Sequence, residues 1–214
     1  MSACRLTIVR ARVEPHALAP TLTFTLRVAV GAAEAVHALA LRCQIQIEPG
    51  ARRYTPAEGD RLYELFGEPV RWHDTLKPLL WTHVSVMVPA FTGTTDIDVP
   101  VICTYDLEVA AAKYFNAMDG GEIPLLFQFS GTIFFAADRR FSIAPVGWDE
   151  DAAFRLPVAL FRELMDRYFP NSAWLRLSRE HVDALHRFKV RHAFTTFDHA
   201  IAALLARVEA EEPA

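Results

Sequence analysis

Four of the eight histidines lie near the C-terminal end of the chain, at His181, His186, His192 and His199. Imidazole nitrogens are common metal ligands, and in one α-helix His181, His192 and His199 would point in nearly the same direction. Their separations of 11 and 7 residues correspond to roughly 16 Å and 10 Å along a helix axis. One metal ion binds imidazole nitrogens at about 2 Å and cannot bridge such gaps. The spacing therefore predicts solvent-facing helix histidines and no metal site.

A second group of chemically active side chains is the carboxylate set Asp96, Asp98, Asp106 and Glu108, which alternates with apolar residues. In a strand these carboxylates would share one face. Paired carboxylates can act as general acid and base, cleave glycosidic bonds or bind calcium. A solvated strand face explains the same pattern without any ligand, and this is the interpretation that we favour.

Histidines and tryptophans elsewhere give weaker indications of a site. His73 and His83 lie beside Trp72 and Trp81, which is typical of packing and turn positions. The four tryptophans could also form an aromatic platform that binds sugar or peptide; they are Trp72, Trp81, Trp148 and Trp174. The sequence contains no G-x-S-x-G, P-loop, G-x-G-x-x-G or H-E-x-x-H motif. We therefore assign no catalytic, cofactor-binding or metal-binding residue and expect no cofactor.

The composition is that of a globular protein with a large core. The chain has 214 residues, of which 52% are hydrophobic and 22% charged, and its net charge is −4. This composition excludes intrinsic disorder, and the absence of a basic patch argues against nucleic acid or an anionic membrane as partner. The three cysteines are far apart, which favours buried thiols in a reducing compartment. With no apolar run long enough to span a bilayer, the sequence predicts a soluble, cytoplasmic protein.

The first two-thirds of the chain alternates apolar and polar residues with the period of half-buried strands. The segment from 21 to 30, for example, places Leu22, Phe24 and Leu26 on one face and threonines on the face predicted to meet water. We predict about seven strands, over residues 6–13, 21–30, 39–47, 84–88, 97–109, 123–135 and 141–146. Such strands, joined by Pro- and Gly-rich turns, predict an antiparallel β-sandwich.

One short helix is predicted within this region, near residues 56–66. Thr55 can cap its first turn, and Glu58 can complete a capping box. Pro56 suits the first helical position, while Gly67 favours a stop. The fold class is therefore α+β, mainly β: a sandwich domain over residues 1–148 with this inserted helix.

Residues 149–214 have helical periodicity and are predicted to form a C-terminal appendage, packed on the sandwich or at an interface. Its last helix, capped by Ser178, carries two apolar stripes that a straight helix cannot bury on one flat surface. One stripe contains Val182, Leu185 and Phe188, so the helix must bend near residues 189–192 or its halves must dock on different surfaces. The second stripe is our candidate protein or oligomer interface, and its core is Phe194, Phe197, Ile201, Leu204, Leu205 and Val208.

Eight short motifs, spread over essentially the whole chain, resemble an uncharacterised bacterial family often encoded beside uptake nickel–iron hydrogenase genes. These motifs are ALALRCQI (38–45), RRY (52–54), LYELFG (62–67), WTHV (81–84), CTYDLEV (103–109), KY (113–114), GEIPLLFQF (121–129) and FPNSAWLRL (169–177). The resemblance implies an accessory protein that assists assembly or docking of a hydrogenase. It implies no activity, cofactor or catalytic residue.

The sequence therefore favours a non-enzymatic interaction module, with protein partners that include hydrogenase components or a second copy of the chain. Two alternatives stay open. One is a hydrolase or isomerase with a site in a sandwich cleft, using His73, His83 or the strand carboxylates. The other is a carbohydrate- or peptide-binding sandwich that uses its tryptophans.

Overall fold

The structure, a computed structural model, describes residues 4–106, 109–137, 140–147 and 149–211. The chain divides between Trp174 and Leu175 into two compact units. We predicted a division after residue 148. Two elements that follow this residue, β9 (Asp151–Pro157) and α4 (Val158–Tyr168), lie in the first unit.

Nine strands and six α-helices follow one another along the described residues. The strands are β1 (Arg5–Val13), β2 (Thr21–Ala29), β3 (Ala35–Ile47), β4 (Leu79–Val88), β5 (Phe91–Thr92), β6 (Thr94–Ile102), β7 (Glu122–Ala137), β8 (Arg140–Pro145) and β9. The helices are α1 (Pro56–Phe66), α2 (Trp72–Thr75), α3 (Ala110–Ala117), α4, α5 (Arg179–Arg191) and α6 (Phe197–Glu211), with 3₁₀ turns at Pro49–Ala51 and Pro69–Arg71.

The strands form two antiparallel sheets. The smaller sheet has the order β1-β2-β6, and the larger has the order β4-β3-β7-β8 with β5 beside β3 and β9 beside β7. The ring of Phe24, on the central strand of the small sheet, makes edge contacts with Trp81, Phe127 and Phe154 of the large sheet. This shared core confirms the predicted mainly β, antiparallel fold class.

The central strand β2 is buried on both faces, which differs from our prediction of a water-facing threonine row. Thr21, Thr23 and Thr25 are all buried. Arg10 of β1 donates from Nε to Thr25 Oγ1, and Arg12 reaches across β2 to Asp98 of β6. Thr25 is thus covered by charged side chains from the flanking strands.

The inserted helix α1 begins and ends where the sequence predicted. Thr55 Oγ1 accepts a hydrogen bond from the Glu58 N–H, and Glu58 Oε2 accepts one from the Thr55 N–H, so the capping box is complete. Gly67 has a positive φ of 70° and its N–H donates to Tyr63 O. Local side-chain chemistry thus defines both ends of this helix.

The strand predicted to run from 97 to 109 is too long, since β6 ends at Ile102. Its partner β2 begins at Thr21, and the Cys103 N–H donates to the carbonyl oxygen of Pro20. Pro20 has no N–H to return, so the ladder stops and the chain continues into α3, which the sequence analysis missed. Strands β5 and β9 were also missed.

None of the described helices combines the length and the apolar character needed to cross a membrane.

Gly131 lies on β7 opposite Leu41 of β3, and these are the two central strands of the large sheet. A Cβ at this position would overlap the carbonyl oxygen of Ala40, which is backbone and has little freedom to move. We predict that Gly131→Ala lowers the free energy of unfolding by about 1–3 kcal/mol or more, measured by urea denaturation. Gly120→Ala is the matched control, because a Cβ there meets no atom within 4 Å. Equal midpoints for the two variants would contradict this packing.

Candidate functional site

The second unit contains two helices in place of the single long helix expected from sequence. Ser178 caps α5, with its Oγ accepting from the His181 N–H. The helix ends at Arg191, and Ala193 adopts a φ of 54° in the left-handed region. The chain therefore breaks next to the predicted segment 189–192, and Thr196 Oγ1 then accepts from the His199 N–H at the start of α6.

A small cluster of rings holds the two helices together. Phe188 lies 4.5 Å from the ring of His192 and 5.9 Å from that of Phe194, and Phe197 of α6 lies 6.3 Å from His186 of α5. The Arg207 guanidinium lies 5.5 Å from the ring centre of Phe188. These contacts define which side of α6 is turned toward α5.

Beyond Phe197, the side of α6 turned toward α5 carries small residues. Ala200 and Ala203 share helical spacing with Arg207, and Ala200 is fully buried. The larger apolar residues of α6 are centred roughly 100° around the helix from these alanines. They are between 37% and 59% exposed, and they are Phe197, Ile201, Leu204, Leu205 and Val208. We call these five residues the α6 stripe.

The structure keeps five of the six predicted interface residues on one helix face. The sixth, Phe194, precedes α6, is half-buried and belongs to the ring cluster. Phe197 lies at the edge of the α6 stripe, where the Lys189 ammonium also contacts its ring. The role of these residues as an interface stays a prediction.

The histidines of this unit have local partners. His181 is hydrogen-bonded to Ser178 Oγ, and His199 to Thr195 Oγ1. His192 packs on Phe188. Among the described residues, no three His, Cys, Asp or Glu side chains are grouped so that they could hold a metal ion.

The predicted carboxylate row does not form a single face. Asp96 makes two hydrogen bonds to Arg27, at 2.7 and 2.8 Å, which lower its pKa. Asp98 pairs with Arg12 at 2.9 Å. Asp106 lies beyond the end of β6, where it forms an isolated bridge with Trp174. The fourth carboxylate, Glu108, lies outside the described residues.

The remaining predicted site residues occupy separate places. His73 is exposed beside Asp74, whereas His83 of β4 is hydrogen-bonded to Gln44 of β3. Trp72 donates to Gly67 O, Trp81 packs on Phe115, and Trp174 is exposed. The fourth tryptophan, Trp148, lies outside the described residues.

The three cysteines are free and buried, as the sequence predicted for Cys43 and Cys103. Burial raises the pKa of Cys4 to about 11 and the pKa values of Cys43 and Cys103 to about 12. The thiols stay protonated near neutral pH, so they are packing groups and poor nucleophiles.

A buried ion pair joins α1 to the start of β7. The Glu58 side chain is 2% exposed and the Arg52 side chain 11%, with Nη2 to Oε1 at 2.8 Å. Glu58 Oε1 also accepts the Asp119 N–H, while Arg52 donates to the carbonyl oxygens of Gly120 and Glu122. The pair therefore ties α1 to the turn that leads into β7.

Two tyrosines extend this network. The Tyr54 hydroxyl donates to Pro49 O and accepts from the hydroxyl of the buried Tyr114, each at 2.7 Å. Burial raises the pKa of both tyrosines. The 3₁₀ turn Pro49–Ala51 is thereby anchored to α3.

A cavity of about 720 Å³ opens beside this network. Its lining comes from the turn before α1, the start of β7 and the middle of β9, and includes Arg52, Arg53, Gly121, Glu122 and Arg155. The sequence analysis missed this cavity. The adjacent arginines at 52 and 53 were visible, but the strand pairing that brings Arg155 beside them was not.

The comparison with protein families gives one match, over residues 1–213, to a family of unknown function. The chain belongs to the DUF6084 family. No curated protein matches this DUF6084 chain.

Solved structures with some likeness include β-glucosidases. The enzyme from Kluyveromyces marxianus aligns at 8% identity with a TM-score of 0.27, and its complex with glucose at 7% and 0.25. β-Glucosidase 3B from Thermotoga neapolitana in complex with glycerol aligns at 10% and 0.25. Each alignment covers 72% of this chain but only 15–17% of the other. TM-scores this low establish neither a common fold nor a common activity.

We predict that Glu58→Gln lowers the free energy of unfolding by about 3 kcal/mol, because it leaves the buried Arg52 guanidinium without its counter-ion. The measurement is urea denaturation followed by circular dichroism. Glu64→Gln, which removes an exposed ion pair of the same helix with Lys113, should cost less than about 1 kcal/mol. Similar losses for the two variants would contradict the central position of Glu58.

Proposed function

We propose that this DUF6084 protein is a non-enzymatic interaction module that binds another protein through the α6 stripe. One observation carries the proposal: beyond Phe197, α6 turns its alanines toward α5 and leaves its larger apolar side chains 37–59% exposed. A helix that served only to complete the hairpin would be expected to show the opposite arrangement.

The energetics of burial favour an interface on this face. Complete burial of one Leu or Ile side chain contributes about 1.5–3 kcal/mol, so covering the exposed half of one such side chain contributes about 1 kcal/mol. Contiguous exposed apolar residues of this kind typically mark contact surfaces. A partner helix or groove that covered all five side chains would gain about 5 kcal/mol, a substantial part of the free energy of specific binding.

The proposed partners are components of a nickel–iron hydrogenase. Support comes from the motif resemblance to a family often encoded beside uptake hydrogenase genes, which makes those components the first proteins to test. A cytoplasmic location is part of the same proposal, and the three free buried cysteines are compatible with it.

The test compares two double variants of α6 as baits in affinity capture from native lysate, with quantitative mass spectrometry. Ile201→Asp with Leu205→Asp places two charges in the α6 stripe and should weaken partner binding roughly thirtyfold, since about 2 kcal/mol of apolar burial is lost. Ala202→Asp with Ala206→Asp adds the same charges one residue further along, on the exposed opposite side.

Loss of a hydrogenase component from the first bait alone, with unchanged helicity by circular dichroism, would support the proposal. Equal capture by both baits would contradict it. Light scattering of the purified proteins tests whether the partner is a second copy of the chain. If the wild-type protein is a dimer that only the stripe variant dissociates, the α6 stripe binds a second copy and not a client protein.

A further inference from the structure

Two arginines, Arg53 and Arg155, line the cavity beside β9. Within the described part of the chain, the side chains of Arg53 and Arg155 form no ion pair and donate no hydrogen bond. Both are exposed. A guanidinium offers several N–H donors in a planar array that fits carboxylate and phosphate oxygens.

The wall between these arginines is fixed by the buried network. Arg52 is held by Glu58 and by the carbonyl oxygens of Gly120 and Glu122, so its guanidinium cannot swing into the cavity. Gly121 has a φ of 72°, a conformation that favours glycine, and it adds no side chain to the lining. Arg52 and Gly121 therefore form a fixed part of the lining before any ligand arrives.

The local charge is positive in a chain whose net charge is −4. Glu58 neutralises Arg52, while Glu122 supplies one carboxylate against the two charges of Arg53 and Arg155. The cavity thus keeps an excess of one positive charge. Its volume of about 720 Å³ lies within the range of small-molecule sites, about 300–1,000 Å³.

We propose that this cavity binds a small molecule through a carboxylate or phosphate group held between Arg53 and Arg155. This site is separate from the interaction proposed for α6 and does not depend on it. The shared chemistry is an oxyanion that forms charge-assisted, bidentate hydrogen bonds with guanidinium groups. The carboxylate of Glu122 repels an anionic ligand and so weakens the binding of highly charged anions.

Isothermal titration calorimetry at low ionic strength tests the site with two probes, inorganic pyrophosphate and tricarballylate. The full chain should bind at least one of them. Arg53→Gln with Arg155→Gln should weaken that binding about tenfold or more, because it removes the charge-assisted donors. Glu122→Gln should strengthen it by about threefold, because a repelling carboxylate is lost.

The matched control is Arg71→Gln with Arg176→Gln, which removes two charges from exposed positions outside the lining. This control should keep nearly the wild-type affinity. Preference for pyrophosphate would identify a phosphate ligand, and preference for tricarballylate a carboxylate ligand. Three results would each overturn the proposal: no binding of either probe, equal losses in the two double variants, or weaker binding after Glu122→Gln.

Discussion

The carboxylate of Glu58 is the interaction on which much of the first unit depends. A buried charge is tolerated only when it is paired and its oxygens are fully hydrogen-bonded. Glu58 meets that condition through Arg52 and through the N–H groups of Thr55 and Asp119. One side chain thus closes the first turn of α1, positions the turn before β7 and immobilises the arginine that forms the cavity wall. Capping helix α1 and shaping a cavity are consequences of the same buried ion pair.

The two units differ in how completely their own packing buries their apolar side chains. In the first unit the large side chains meet one another between the sheets, as the contacts of Phe24 with three aromatic residues of the opposite sheet illustrate. In the second unit the interior of the hairpin is filled by one ring cluster and by alanines, while leucine, isoleucine and valine side chains of α6 face outward. The hairpin therefore displays apolar surface beyond what its own packing uses, and this excess is the basis of the interaction role that we propose.

The features that sequence predicted well are those defined by local chemistry. Both ends of α1 follow from Thr55, Glu58 and Gly67, whose hydrogen bonds each span three or four residues. The end of β6 was wrong because it depends on Pro20, where the partner strand begins, and no periodicity within 97–109 contains that information. A bend near residues 189–192 was only one of two alternatives that the apolar stripes left open, because the left-handed residue at the break, Ala193, carries no glycine-like signal. The cavity arginines were missed because pairing of β9 with β7 is a long-range event.

Photo-crosslinking in the cells that produce the protein measures most directly whether the α6 stripe contacts another chain. The photoreactive residue benzoylphenylalanine replaces Leu205 in the stripe or, as the control, Ala206 on the opposite side of the helix. We expect irradiation to give a covalent adduct with a second protein chain from position 205 and little or none from position 206. An absence of adduct at 205, or equal adducts at both positions, would contradict the claim that this helix face is an interface.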